Sequence, residues 1–214
     1  MEFAVEVRGV SRRYGRRWAL ADVSFRVPAG SVAMVAGANG SGKSTLLRIL
    51  ATAIRPDLGT ALVGGFDVAK ERDDVRRVTA LLSHYSYLYE ALSARENLDV
   101  LNVGRASARP GRAEARPTYL LEKVGLAARA DDPVSTYSAG MRKRLSFARV
   151  LAQQPSIVLL DEPYGQLDPE GFRLVDDVVS ELRGKSTIIM ATHQVERVGT
   201  FADVKIELEQ GRIR

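Results

Sequence analysis

The chain has no cysteine among its 214 residues, which excludes a disulfide framework and any thiolate metal site and suits a reducing compartment. No apolar run approaches the roughly 18 residues needed to span a bilayer. The N-terminal MEFAVEVRGV lacks the basic flank and apolar stretch of a signal peptide. A chain that stays in the cytosol is therefore expected. No internal repeat is visible. Charged residues at 27% and hydrophobic residues at 45% exclude a disordered or fibrous chain and favour one compact soluble unit. Lys and Arg outnumber Asp and Glu by 31 to 26, with basic runs at Arg12, Arg13, Arg16, Arg17 and at Arg142, Lys143, Arg144. We read these runs as a solvated surface rather than a nucleic-acid platform.

The apolar pattern changes period along the chain. Period-two alternation through FAVEVRGV and ALADVSFRV, around YGRR, predicts antiparallel strands. Residues 31–36 form a short, continuously apolar segment of the kind buried on both faces. From Ser44, STLLRILATAI places Leu46, Leu47, Leu50 and Ile54 at helical spacing. RPDLGTALVGG and VTALLSHY predict two further strands. Residues 87–151 read mainly helical, with a break at GRASARPGRAEARP. SIVLLDEP and STIIMATH, separated by a helical stretch at 172–182, complete the alternation expected of a parallel sheet with crossover helices.

GANGSGKST, residues 37–45, lies between a predicted strand and a predicted helix. Gly37, Gly42, Lys43 and Ser44 fit the phosphate-loop pattern, and Asn39 and Gly40 complete the candidate ATP cradle. Backbone N–H groups and the positive end of a helix hold polyphosphate, so Cβ atoms there would obstruct it. Lys43 supplies a charge near the β- and γ-phosphates, Ser44 a hydroxyl for Mg²⁺, and Thr45 support for the α- and β-phosphates. SIVLLDEP ends in two adjacent carboxylates. Asp161 is the candidate for holding Mg²⁺ through water, and Glu162 for orienting or deprotonating the attacking water.

Ser138, Ala139 and Gly140 open a predicted helix and make a second anion site. One nucleotide does not need both sites, so this segment is expected to face the γ-phosphate bound to a second subunit. The alternative is a helix start capped by Ser138.

The ordered set GANGSGKST, YSAGM (137–141), IVLLDEP (157–163), YGQLD (164–168) and ATH (191–193) resembles the nucleotide-binding subunit of ABC transporters over essentially the whole chain. That resemblance implies an α/β fold: a RecA-like P-loop NTPase core with a parallel sheet, an N-terminal antiparallel β subdomain, and a helical insert carrying the signature motif. It implies one ABC ATPase domain over residues 1–214, with the core at 1–83 and 152–214 and the helical subdomain at 84–151. The usual signature is L-S-G-G-Q, and YSAGM departs from it at three positions while keeping Ser138 and Gly140.

The same resemblance implies that Tyr14 stacks on adenine, with simple packing as the alternative. It puts Asp168 in the loop linking the two sites, and makes His193 the switch histidine at the γ-phosphate. It further implies ATP and Mg²⁺, a nucleotide-dependent homodimer, and separate integral membrane permease subunits that hold the chain at the cytoplasmic face of the membrane. No nucleic-acid partner is expected. YSYLYEAL offers a docking surface through Tyr87 and Tyr89, the alternative being rings that fill the insert's own core.

Most cassettes carry Gln at the position of His84, as Mg²⁺ ligand and sensor facing the membrane subunit. Imidazole is a poor ligand for Mg²⁺, so the role of His84 is left open. His84 before an LY…L…ENL pattern, together with ATHQ at 191–194, is similar to the haem-exporter ATPases of cytochrome c maturation, the CcmA type. This implies CcmB- and CcmC-type partners. A ribosome- or DNA-acting cassette lacks support, since long coiled-coil insertions and a second cassette are absent. A GTPase lacks its N-K-x-D stretch, and a small-molecule kinase would not need the signature segment.

Overall fold

Alternation at period two produces two long strands, β1 (Phe3–Tyr14) and β2 (Arg17–Pro28), paired antiparallel and joined through Gly15 at φ 58°. Their inward residues Val5, Val7, Val10, Leu20, Val23 and Val27 are fully buried. The computed structural model describes residues 2–83, 86–103 and 116–214. The chain divides into two compact units, one made of Met1–Ser83, Pro155–Pro163 and Val178–Arg214, the other of His84–Gln154 and Tyr164–Asp177.

The first unit holds both sheets. β4 (Leu58–Val63) pairs with β1, and β5 (Phe66–Asp67) with β4, giving a four-stranded antiparallel sheet in the order β2-β1-β4-β5. The second sheet contains β3 (Val32–Ala36), β6 (Thr79–Leu82), β7 (Ile157–Asp161), β8 (Thr187–Ala191), β9 (Val204–Glu209) and β10 (Arg212–Ile213). Its order is β10-β9-β3-β8-β7-β6, parallel throughout except for the β9–β10 hairpin. Every residue of β3, β7 and β8 is buried, as continuous apolar strands in a covered sheet must be. Helix α1 (Lys43–Leu50) buries Leu46, Leu47, Ile49 and Leu50 in the core shared by the two sheets. The short helices α2 (Arg72–Val78) and α7 (Val195–Gly199) complete this unit.

In the second unit, α3 (Ala94–Val103), α4 (Pro117–Lys123) and α5 (Ala139–Ala152) pack against one another. Leu98, Leu120, Leu121, Leu145 and Phe147 are fully buried. Helix α6 (Pro169–Leu182) begins in this unit, where the Tyr164 hydroxyl donates to Asp176 at 2.8 Å and the Tyr164 ring meets Phe172 edge-on at 5.4 Å. Among the described residues, no helix is long and apolar enough to cross a membrane.

The fold class is the expected one: a parallel-sheet core with an N-terminal antiparallel β subdomain and a helical insert. RPDLGTALVGG forms the expected strand, β4, and its pairing with β1 puts it in the antiparallel sheet. Two local expectations need correction. α6 starts at Pro169, a residue suited to a first helical turn because its missing N–H is needed by no acceptor there. α1 ends at Leu50 and does not reach Ile54.

The stop in α1 is a Schellman cap: Thr52 N–H donates to Ile49 O at 2.9 Å and Ala53 N–H to Arg48 O at 2.8 Å. Thr52, a β-branched residue, holds φ 59°, a conformation that favours glycine. Arg72 donates to Thr52 O at 2.8 Å and Arg76 Nε to Thr52 Oγ1 at 3.0 Å, so two guanidinium groups of α2 stabilise that backbone. The apolar spacing continued past the helix; the cap decided where it ended.

Candidate functional site

The loop between β3 and α1 is shaped by what surrounds its glycines. A Cβ at Gly37, φ 147°, would lie 2.2 Å from Leu208 O, and one at Gly42, φ 113°, would lie 2.4 Å from Ala19 O. Neighbouring backbone thus forces two of the glycines. At Gly40, φ 78°, no atom lies within 4 Å of such a Cβ. Its glycine satisfies the conformation and leaves the loop's outer side open. Gly42 is also the N-cap of α1, and no side chain caps the first turn, so the N–H groups there are available to an anion. The Ser41 hydroxyl is buried and has no hydrogen-bond partner among the described residues.

Lys43, only 6% exposed, donates from Nζ to Gly37 O at 2.7 Å and to Ala38 O at 3.2 Å. Its ammonium therefore lies against the loop. Ser44 Oγ donates to Asp161 Oδ1 at 2.9 Å, joining the start of α1 to the end of β7. Residues adjacent on a strand normally point to opposite faces. Glu162 escapes that rule by adopting φ 47° immediately after β7, while its N–H still donates to Ala191 O at 2.9 Å. Both carboxylates then reach the phosphate loop, with Glu162 Oε1 3.8 Å from Lys43 Nζ. Glu162 Oε2 is 2.8 Å from His193 Nδ1 and accepts a longer bond from the His193 backbone N–H at 3.4 Å. A non-glycine residue in left-handed backbone costs about 1–3 kcal/mol, and such strain concentrates at functional sites.

A cavity of about 380 Å³ is lined by Tyr14, Asn39, Gly40, Lys43, Ser44 and Glu162, and also by Thr45 and Gly42. Arg12, paired with Asp57 at 2.8 Å, lies 5.2 Å from the Tyr14 ring centroid, and Tyr14 is 46% exposed. Eleven sequence-predicted residues thus belong to one unit and one neighbourhood: Tyr14, Gly37, Asn39, Gly40, Gly42, Lys43, Ser44, Thr45, Asp161, Glu162 and His193. The residues fit a nucleotide and its metal. A glycine cradle, an uncapped helix start and a buried ammonium suit polyphosphate, and the Ser44–Asp161 oxygen pair is the hard donor set Mg²⁺ prefers. Two lining residues were not predicted for the site: Arg17, read in the sequence as part of a solvated basic run, and Ala19. The signal was there, since cross-strand pairing through the YGRR turn puts Tyr14 opposite Arg17.

The second unit carries the other predicted segment. Ser138 is the N-cap of α5, its Oγ accepting from Met141 N–H at 3.2 Å. Ser138, Gly140, Met141, Arg144, Gln166 and Asp168 line a cavity of about 460 Å³. A Cβ at Gly140 would approach Gln166 O to 3.3 Å, so the α5 start and the 164–168 loop are closely apposed. Asp168 Oδ1 accepts from Gly171 N–H at 2.7 Å and from Arg144 at 3.0 Å. The Gly171 N–H first, and Arg144 second, hold its carboxyl below the usual range. Ala139 is the first residue of α5. His84 lies outside the described residues, as does most of the predicted break at 104–117.

A phosphate loop on a parallel sheet, with paired carboxylates at the end of β7, defines a nucleotide-binding P-loop protein. Residues 20–165 match the family described as ABC transporter, and the chain belongs to that family. It is 40% identical, over 98% of its own length and 66% of the relative's, to a daunorubicin resistance ATP-binding protein, DrrA3, of Streptomyces coeruleorubidus. It is 37% identical to the daunorubicin/doxorubicin resistance ATP-binding protein DrrA of Streptomyces peucetius, over 98% of this chain and 64% of that one. The chain thus spans about two-thirds of the length of these relatives. It is 35% identical to a phosphonates import ATP-binding protein, PhnC, of Frankia casuarinae, over 98% and 88%. Among solved structures, an ATP-binding subunit of an ABC transporter superposes with a TM-score of 0.88 at 26% identity, covering 98% of this chain and 88% of that one. A dimeric ATP-binding cassette in a post-hydrolysis state, bound to ADP and Pi, gives 0.84 at 24% identity over 98% and 96%, a likeness of fold.

Proposed function

We propose that the chain is the ATP-binding and ATP-hydrolysing motor of an ABC transporter, a single cassette domain over residues 1–214 with its helical subdomain at 84–151. The observation that carries this reading is the convergence of Lys43, Ser44, Asp161, Glu162 and His193, from three separate stretches of sequence, at the start of α1. Loop N–H groups and Lys43 hold the β- and γ-phosphates, Thr45 supports the α- and β-phosphates, and Tyr14 stacks on adenine. Ser44, and Asp161 through water, would hold Mg²⁺, which would supply charge neutralisation on the transferring phosphoryl group. Glu162 orients the attacking water and accepts its proton. His193 fixes the Glu162 carboxylate through Nδ1, and its Nε2, now 3.4 Å from the Gln194 side-chain amide, exchanges that contact for the γ-phosphate when nucleotide binds.

Ser138, Ala139 and Gly140 of one protomer face the nucleotide held by its partner in a head-to-tail pair, and Asp168 belongs to the loop that links the two sites. ATP is then the ligand that distinguishes the closed pair from the open one. Separate membrane subunits receive the motion, which places the chain on the cytoplasmic face of the membrane. The names of the 40% and 37% identical relatives support a motor of the daunorubicin-resistance type, which we read as export. The haem-export reading, with CcmB- and CcmC-type partners, rests on the sequence around His84 and has no support from these relatives.

The docking surface is the segment carrying Tyr87 and Tyr89, which are 69% and 54% exposed. Arg149 donates to the carbonyls of Ser86 and Tyr87, and Asn97 exchanges two hydrogen bonds with the Tyr89 backbone at 2.8 and 3.0 Å. The backbone is held and the rings face outward, which argues against their filling the insert's core. The test is an affinity capture of Glu162→Gln protein with ATP from detergent-solubilised native membranes, read by mass spectrometry. A polytopic membrane protein should co-purify, and its identity separates drug export from cytochrome c maturation. Ribosomal proteins in its place would overturn the transport reading. In the same experiment Tyr87→Ala with Tyr89→Ala should lower capture about tenfold, the scale of a lost aromatic anchor. ATP binding by the soluble protein should be unchanged, and the reverse pattern would remove the docking role.

A further inference from the structure

We propose that Arg17 binds the α-phosphate of the nucleotide, a contact the phosphate-loop motif does not contain; this rests on the nucleotide reading of the cavity. Tyr14 and Arg17 are direct cross-strand partners on either side of the β1–β2 turn, so both side chains leave the same face of the hairpin. Ala19 sits where the register shifts, between the Arg13–Trp18 and Arg12–Leu20 pairs, and its carbonyl is the atom that a Cβ at Gly42 would strike. This end of the hairpin therefore lies against the phosphate loop, and Tyr14, Arg17 and Ala19 line the same cavity as Asn39, Gly40, Lys43, Ser44 and Glu162.

The neighbouring cations are committed elsewhere. Arg12 pairs with Asp57 and lies over Tyr14, and Arg13 lies 5.6 Å from the Trp18 ring centroid. Arg17 makes no hydrogen bond or ion pair among the described residues, and Arg16 does not line the cavity. Lys43 and Arg17 are thus the two cations lining this cavity. Directly opposed residues have Cβ atoms about 5 Å apart. A base on the Tyr14 ring would place its nearest phosphate within reach of the long Arg17 side chain, while Lys43 serves the far end. A guanidinium fork matches phosphate oxygens and does not match the adenine edge, which lacks an acidic acceptor.

The test is calorimetric titration of ATP, ADP and adenosine into the wild type, Arg17→Ala, Arg17→Lys and Arg16→Ala. Arg17→Ala should weaken ATP and ADP alike by about tenfold, the scale of one partly exposed charge-assisted contact. It should leave adenosine affinity and the nucleotide-free melting temperature as in the wild type. Arg17→Lys should fall between, Arg16→Ala should match the wild type, and the KM for ATP should rise with kcat retained. Wild-type affinity for ATP in Arg17→Ala would overturn the assignment, as would an equal loss in Arg16→Ala, which would mean diffuse charge. A parallel loss of adenosine binding would move the contact to base or ribose and overturn the phosphate role. Failure of the wild type to bind ATP would overturn the nucleotide reading itself, and this proposal with it.

Discussion

Glu162→Gln is expected to bind ATP with near wild-type affinity and to hydrolyse it about a hundred- to a thousandfold more slowly. The amide keeps the size and planarity of the side chain, so the hydrogen bond that Glu162 Oε2 accepts from the His193 side is replaceable, and the left-handed backbone at residue 162 is unaffected. What is lost is an acceptor basic enough to take a proton from water, along with the negative charge 3.8 Å from Lys43 Nζ. Removing that charge lets the ammonium interact with phosphate without competition, so affinity should hold or rise. The measurement is steady-state phosphate release beside an ATP-binding titration on the same preparation. Turnover within a fewfold of the wild type would remove Glu162 from the base role. His193→Ala should slow turnover by less, because it leaves the carboxylate in place and removes the group that orients it and its contact on the γ-phosphate side.

Gly42→Ala is expected to lower stability by about 3 kcal/mol and to abolish measurable ATP binding. Two costs coincide there. The backbone is at φ 113°, where a Cβ is strained, and that Cβ would sit 2.4 Å from Ala19 O and 2.7 Å from a Leu20 methyl. The carbonyl is main chain of β2 and cannot swing aside as a flexible side chain would. Relief must come from shifting the start of α1, which displaces Lys43 and Ser44 together. For a domain of this size, 3 kcal/mol corresponds to a fall in melting temperature of about 6–12 °C. Gly40→Ala is the informative comparison: it has the strained φ of 78° and open space around the added methyl, so about 1 kcal/mol is expected. Equal melting temperatures for the two variants would show that contact with β2 does not shape this loop.

The chemistry of the site was legible because the phosphate loop and its strand and helix flanks are local. Gly37 to Thr45 and the Asp161–Glu162 pair each lie within a few consecutive residues, and their apolar flanks announce a covered parallel strand. Helix ends were less legible. Leu50 and Ile54 have the same helical spacing, and only the bonds from Arg72 and Arg76 to Thr52 explain why the chain turns away between them. Strand partners were less legible still, since residues 58–63 read as a strand with no mark of which sheet they would join.

The sequence by itself determined the family, the strands and the helix that flank the site, and the residue types that meet phosphate, because glycine placement, apolar periodicity and adjacent carboxylates are encoded within short windows; it did not show β5, β9, β10, α2 or α7. The tertiary structure alone decided which carboxylate meets which partner. Asp161 reaches Ser44 across 117 positions, and Glu162 reaches His193 across 31, through a left-handed residue at the end of β7. It also brought Arg17 to the cavity, through the pairing of β1 with β2 and the contact of Ala19 with Gly42. Such meetings depend on sheet register and strand order, and no window of sequence short enough to read as a motif contains both members.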